Sequence, residues 1–150
     1  MRIHFICRGN GFRSRIAETY LNSLQLNNVE VVSSGTVADK YRSENDPISR
    51  PAEFVLSRNG LMKFAKKQCD QLTQSRIEPD DTTICMNQRI FNECKELVVL
   101  PNNVIVWSID DVNEYYPVYP QDEEIDQYAE QVFQSIKDNV DALIKQLNVL

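Results

Sequence analysis

The chain has 150 residues, of which 42% are hydrophobic and 25% charged, and its formal net charge is −6. These proportions predict one globular domain over 1–150, and the acidic balance argues against nucleic acid as a partner. No apolar run approaches the roughly 20 residues of a membrane span, and the amino terminus lacks signal-peptide features, so we expect a cytoplasmic protein without membrane partners.

The first half of the chain is predicted to alternate strands with helices. An apolar strand is expected over 2–7, a helix over 13–25 and a second strand over 29–34. The polar segment 37–50 contains a proline and is expected to be irregular. Further elements are expected at helix 51–58, helix 66–74, strand 82–86, helix 88–97, strand 104–107 and helix 122–147.

This alternation predicts a three-layer α/β domain, in which a parallel sheet carries helices on both faces. Ligands of such sheets bind beyond the carboxyl ends of the strands. Polar or reactive residues end or follow each predicted strand and are expected along that edge: Cys7, Ser33-Ser34, Cys85-Met86 and, after the fourth strand, Asp110-Asp111.

The loop after the first strand is the most informative segment. It has the spacing C-x5-R-S, with Cys7 and Arg13 at its ends. Its backbone amides and the amino-terminal end of the next helix can surround one anion. In that field a cysteine is expected to be a thiolate rather than the small buried hydrophobe that most free cysteines are. A planar guanidinium suits two phosphoryl oxygens, so the loop predicts phosphoryl transfer without a metal or other cofactor.

The loop also resembles a known family. Followed by Ala17-Glu18, it is similar to the signature of the low-molecular-weight protein tyrosine phosphatases. Later segments resemble the same family: Ser33-Ser34-Gly35-Thr36, Asp46-Pro47, Ile84-Cys85-Met86-Asn87 and Trp107-Ser108-Ile109-Asp110-Asp111. The resemblance implies the phosphotyrosine phosphatase I-like fold, with strand order 2-1-3-4. It also implies hydrolysis of phosphotyrosine in phosphorylated proteins, and of aryl phosphate monoesters in general, through a phosphocysteine on Cys7.

The resemblance assigns further roles. Phosphate or a similar oxyanion would bind in the loop, at Arg8, Gly9, Asn10, Gly11, Phe12, Arg13 and Ser14. The Ser14 hydroxyl would donate to the thiolate, and Asn10 would hold the loop partly through Ser33. Tyr115 and Tyr116 resemble the tyrosines that wall the pocket, although they fall two residues later than usual. Tyr41 is the nearest substitute for another aromatic wall residue.

Asp111 is the expected general acid. A phosphoryl ester expels a poor oxyanion, so a carboxylic acid should protonate it and then, as a carboxylate, take a proton from the attacking water. The alternative is an ordinary solvent-facing acid in an acidic loop, and Asp110 is the reserve candidate.

Four positions depart from the family pattern. Phe12 replaces a second loop cysteine, and Arg15 replaces a proline. Val112 replaces the proline that follows the expected acid, and this change puts the rigidity of the acid loop in question. Gly11 lies where the family has isoleucine-like residues in tyrosine phosphatases and threonine in protein-arginine phosphatases, so glycine predicts neither substrate.

Three alternatives therefore stay open. One is a protein-arginine phosphatase. Another is an arsenate reductase, for which Cys85 and Cys94 could pass a disulfide outward. The third is a catalytically idle member that binds phosphate or phosphorylated proteins. Because the sequence has no C-x2-C pair and a single histidine, it predicts no metal site.

Overall fold

The computed structural model describes residues 1–148. Its sheet contains β1 (Arg2–Cys7), β2 (Glu30–Gly35), β3 (Thr82–Cys85) and β4 (Asn103–Val106). All pairs are parallel and the order is β2-β1-β3-β4, which confirms the predicted sheet. Within it Ile6 of β1 lies between Ser34 and Cys85, so Cys7 comes last at the carboxyl edge.

Within the described residues, six α-helices connect and cover the strands. They are α1 (Arg13–Ser23), α2 (Arg42–Asn45), α3 (Arg50–Arg58), α4 (Gln88–Leu97), α5 (Val112–Tyr115) and α6 (Asp122–Gln146). Short 3-10 helices lie at Ala38–Tyr41, Met62–Phe64 and Gln74–Arg76. No helix within residues 1–148 is long and apolar enough to cross a membrane.

Side chains of β1 alternate between two cores, as the pleat of a strand requires. Ile3, Phe5 and Cys7 join the larger core, which α1, α3 and α6 cover. Ile6 joins the smaller core on the opposite face, with Cys85 and residues of α4. Complete burial of each large apolar side chain contributes about 1.5–3 kcal/mol, so both faces of the sheet hold the carboxyl edge in place.

The helix expected over 66–74 is wrong. Backbone groups there bond to other elements instead: Gly35 N–H donates to Asp70 O at 2.9 Å, and Leu72 N–H donates to Gly35 O at 2.8 Å. A bridge between Gly35 and Gln71 extends the sheet edge, so these groups are not free for helical bonds. The segment 37–50 is also more ordered than expected, because it contains Ala38–Tyr41 and α2.

Candidate active site

The conformation of the loop between β1 and α1 depends on the backbone at two positions, Asn10 and Gly35. Asn10 has φ +53°, a left-handed conformation that asparagine tolerates better than most side chains. Gly35 lies directly under the loop, where an added Cβ would be 2.5 Å from Arg8 O and 2.7 Å from Asn10 N. The end of β2 therefore needs glycine for the loop to fold over it.

A chain of hydrogen bonds orients the Cys7 sulfur. The Asn10 amide donates from Nδ2 to Ser14 Oγ at 2.8 Å and to Ser33 Oγ at 2.9 Å, while its Oδ1 accepts from the Asp70 N–H at 2.8 Å. The backbone donor fixes which way this amide faces. Because Ser14 Oγ accepts from Asn10, its own hydrogen is free for Cys7 Sγ, 2.9 Å away. The Ser14 hydroxyl is therefore oriented as a donor toward the sulfur.

The same chain ends in a buried carboxyl. Ser33 Oγ donates to Glu18 Oε1 at 3.1 Å, and Lys66 Nζ lies 3.9 Å from that oxygen. Burial raises the pKa of Glu18, and the Lys66 charge opposes the rise. Lys66 also donates to Ser33 O at 2.8 Å and pairs with Asp70 at 2.9 Å, so it anchors the support of the loop on two sides.

Arg13 has its guanidinium at the mouth of the loop. The side chain is 1% exposed, and Nη1 donates to the Ile109 carbonyl at 2.8 Å. Nη2 is 3.8 Å from Asp111 Oδ2, and Nη1 is 3.6 Å from Glu114 Oε1. The guanidinium thus connects the loop with the segment after β4, and it can present a planar pair of donors to an oxyanion.

Asp111 and Asp110 have different surroundings. Asp111 lines the cavity above Cys7 and caps α5, with Oδ1 accepting from the Val112 N–H at 2.8 Å. Asp110 accepts from Asn87 Nδ2 at 3.1 Å and does not line this cavity. The geometry therefore favours Asp111 over the reserve candidate.

A capping box holds the acid segment where the family has a proline. Asp111 N–H donates to Glu114 Oε1 at 2.8 Å, and Asn87 Nδ2 donates to the same oxygen at 3.2 Å. Arg89 Nη1 is 3.6 Å from Glu114 Oε2, and Val112 is buried in the larger core. These contacts restrain the segment without the ring of proline.

The cavity has a volume of about 330 Å³ and opens at the carboxyl edge of the sheet. Its lining includes Cys7, Arg13 and Asp111, together with the rings of Tyr41 and Tyr119. Tyr41 OH accepts from Arg8 Nη1 at 3.2 Å, and this hydrogen bond lowers the pKa of Tyr41. Phe12 of the loop also lines the cavity, so aromatic residues reach it from three separate segments.

Tyr115 and Tyr116, expected as walls, do not line this cavity. Tyr115 stacks on Tyr128 with ring centroids 4.2 Å apart, and Tyr116 meets both rings edge-on. The Tyr116 hydroxyl donates to Glu124 O at 3.0 Å, which holds that ring against α6. The capping turn of α5 directs both tyrosines toward α6, and Tyr119, farther along the loop, takes the wall position.

The remaining cysteines lie away from the cavity. Cys69, Cys85 and Cys94 are free and buried, and the latter two belong to the smaller core on the other face of the sheet. Burial raises the pKa of Cys69 to about 11, and hydrogen bonding with Cys85 together with burial raises the pKa of Cys94. This environment does not favour a disulfide relay to the surface, and Phe12 packs on Tyr128 where the family has its second loop cysteine.

Arg15, which replaces a proline of the family, holds the loop in place through buried hydrogen bonds. Its side chain is 0% exposed. Nη1 donates to Asn10 O at 3.2 Å, and Nη2 donates to Pro47 O at 2.5 Å and Lys66 O at 2.6 Å. Burial lowers the pKa of its guanidinium, which three carbonyls and the nearby Glu18 charge stabilise. One side chain thereby holds three loops together.

Replacing Arg15 with methionine is expected to reduce the free energy of unfolding by about 3 kcal/mol, because buried carbonyls lose their donors. Urea unfolding measures the change. The matched control is Arg58→Met, since Arg58 is 63% exposed and pairs with Glu130 on the surface. That variant should change stability by about 0.5 kcal/mol or less. Equal stability of the two variants would contradict the role given to Arg15.

Sequence reasoning missed several residues of the site. Asn45, Glu44 and Tyr119 line the cavity, and Lys66 supports the loop from below. The signal for Tyr119 was the aromatic-rich loop after β4, whereas no local motif marks Asn45 or Lys66.

The fold and site define a parallel α/β protein with a cysteine, an arginine and an aspartate around an oxyanion loop. Residues 2–149 match the model of the low molecular weight phosphotyrosine protein phosphatase family. The chain belongs to this family of phosphatases, which implies phosphorylated substrates. No curated protein matches the chain significantly.

Solved structures share the fold. Vibrio vulnificus Wzb in complex with benzylphosphonate has a TM-score of 0.76 and 22% identity, and 97% of each chain is covered. A cysteine-to-serine mutant of the YwlE arginine phosphatase, with a phosphorylated active-site serine, has a TM-score of 0.68 and 19% identity over 100% of both chains. The thioredoxin-dependent arsenate reductase of Corynebacterium glutamicum has a TM-score of 0.66 and 20% identity, covering 98% of this chain and 61% of that one.

Proposed function

We propose that this protein is a protein tyrosine phosphatase that hydrolyses phosphotyrosine through a phosphocysteine on Cys7. The observation that carries the proposal is the convergence of Cys7, Arg13 and Asp111 on one cavity. The hydrogen bond between Cys7 and Ser14 supports a thiolate, and the tyrosines at positions 41 and 119 suit a flat aromatic substrate.

The reaction has two steps. The Cys7 thiolate attacks phosphorus, the bond to the tyrosine oxygen breaks, and Asp111 gives its proton to that oxygen. Water then attacks the phosphocysteine, Asp111 takes a proton from it, and the sulfur leaves as a thiolate with phosphate released. Arg13 and the loop amides stabilise the charge on the transferring phosphoryl group in both steps.

A protein-arginine phosphatase is the second candidate. Besides Asp111, the acidic side chains of Glu44 and Asp122 line the cavity and would suit a cationic guanidinium. However, Arg50 also lines it and lies 3.6 Å from Asp122 and 2.9 Å from Asp126, so the acidic field is partly neutralised. This balance leaves phosphotyrosine as the first choice.

The test compares one peptide sequence carrying phosphotyrosine, phosphoarginine or phosphoserine, with phosphate release as the readout. We expect the highest kcat/KM for phosphotyrosine. A higher kcat/KM for phosphoarginine would identify a protein-arginine phosphatase instead. Negligible rates on all three peptides, together with phosphate binding, would identify a catalytically idle binding protein.

A further inference from the structure

Asn45, the last residue of α2, lies directly on the phosphate-binding loop. Its Nδ2 donates to Gly9 O at 3.1 Å. A Cβ added at Gly11 would overlap Cγ and Oδ1 of Asn45 and would come within 2.8 Å of its Cβ. A Cβ added at Gly9 would lie 2.6 Å from Asn45 Nδ2. The Asn45 side chain therefore occupies the space into which a side chain at position 11 would extend.

The same side chain faces the substrate cavity. Asn45 lines it together with Cys7, Tyr41 and Asp111. The Ser49 hydroxyl and N–H both bond to Gly11 O, at 2.5 and 3.2 Å, so the loop backbone cannot withdraw from Asn45 without losing these bonds. The proximity of Asn45 to Gly11 is therefore fixed from both sides of the loop.

We propose that Asn45 is the specificity-determining residue of this cavity, and that it contacts the aromatic ring of the substrate. Because Gly11 has no side chain, the loop itself provides no wall on this side, and α2 supplies one. The inference rests on the proposed phosphatase function, since it names the side chain that selects the substrate at that site. Its predicted preference is for a flat aryl group over the short alkyl group of phosphoserine.

The experiment measures binding of benzylphosphonate and inorganic phosphate by calorimetry. Both ligands use the loop and Arg13, but only benzylphosphonate has a ring for Asn45 to contact. Asn45→Ala is expected to weaken benzylphosphonate binding about fivefold through lost contact area, with little change for phosphate. Ser43→Ala, an exposed position of the same helix, is the matched control and should change neither affinity.

A double variant makes the test sharper. Gly11→Ile alone should weaken both ligands, because the new side chain collides with Asn45 and displaces the loop. Adding Asn45→Ala opens the space for isoleucine, so the double variant should bind benzylphosphonate better than Gly11→Ile does. A double variant no better than Gly11→Ile would overturn the proposal. So would an equal loss of both ligands in Asn45→Ala, which would leave Asn45 only a structural role at Gly9.

Binding and turnover separate this inference from the proposed function. A wild type that binds both ligands but hydrolyses no phosphopeptide contradicts the proposed function, while the ratio of the two affinities still decides the role of Asn45. A wild type that binds neither ligand overturns both.

Discussion

Replacing Cys7 with serine is expected to lower kcat for p-nitrophenyl phosphate by on the order of 10⁴ to 10⁶, the scale at which loss of a nucleophile reduces an enzyme to background. A thiol gives up its proton far more readily than a serine hydroxyl does, so the hydrogen-bond donors that face the sulfur cannot make serine an equal nucleophile. Because the loop and Arg13 remain unchanged, the variant should still bind phosphate. Release of p-nitrophenol and phosphate calorimetry measure the two effects.

The other cysteines provide the controls. Cys85→Ser and Cys94→Ser alter the smaller core on the far side of the sheet, so their folded fraction should keep the wild-type rate. At neutral pH iodoacetate should modify Cys7 ahead of Cys69 and Cys94, whose thiols have raised pKa values. Retained activity in Cys7→Ser would contradict the phosphocysteine mechanism. Thioredoxin-dependent arsenate turnover that needs Cys94 would favour the arsenate reductase alternative.

The predictable part of the site is the part that is local in sequence. The loop from Cys7 to Ser14 is continuous, and its strand, turn and helix are specified by neighbouring residues, so spacing alone indicates where an anion can bind. The sheet order followed from the family resemblance, and strand alternation indicated a parallel sheet. The placement of Asp111 at the same cavity depended only on its position after the fourth strand.

The remainder depends on contacts between distant segments. Gly11 on its own predicted neither substrate, because the side chain that faces it, Asn45, comes from a helix that the sequence did not indicate. The segment 66–74 has the composition of a helix, but the sheet edge and the Asn10 side chain use its backbone groups. Likewise the sequence showed only that Arg15 stands where the family has a proline, whereas its carbonyl partners on three loops make it a support.

Asp111→Asn is expected to lower kcat for a phosphotyrosine peptide by about 10² to 10⁴, the usual contribution of a positioned general acid. Asparagine keeps the shape of the side chain and is also a good helix cap, so α5 should remain folded. The leaving group of p-nitrophenyl phosphate is a much more acidic phenol and departs without a proton. Its first step should therefore stay fast, while hydrolysis of the phosphocysteine loses its base. Rapid-mixing kinetics should show a burst of p-nitrophenol close to one per enzyme.

The matched control is Asp110→Asn, which changes the neighbouring carboxylate that faces Asn87 and leaves the cavity lining intact. We expect a change of no more than a few fold for either substrate, without a burst. Asp111 also faces Arg13 at 3.8 Å, so loss of its charge could act through the guanidinium alone. In that case both substrates would slow equally in the first step and phosphate affinity would change. Only the general acid protonates the tyrosine oxygen, so only its loss makes the rate depend on the leaving group. A larger loss in Asp110→Asn than in Asp111→Asn would therefore identify Asp110 as the general acid.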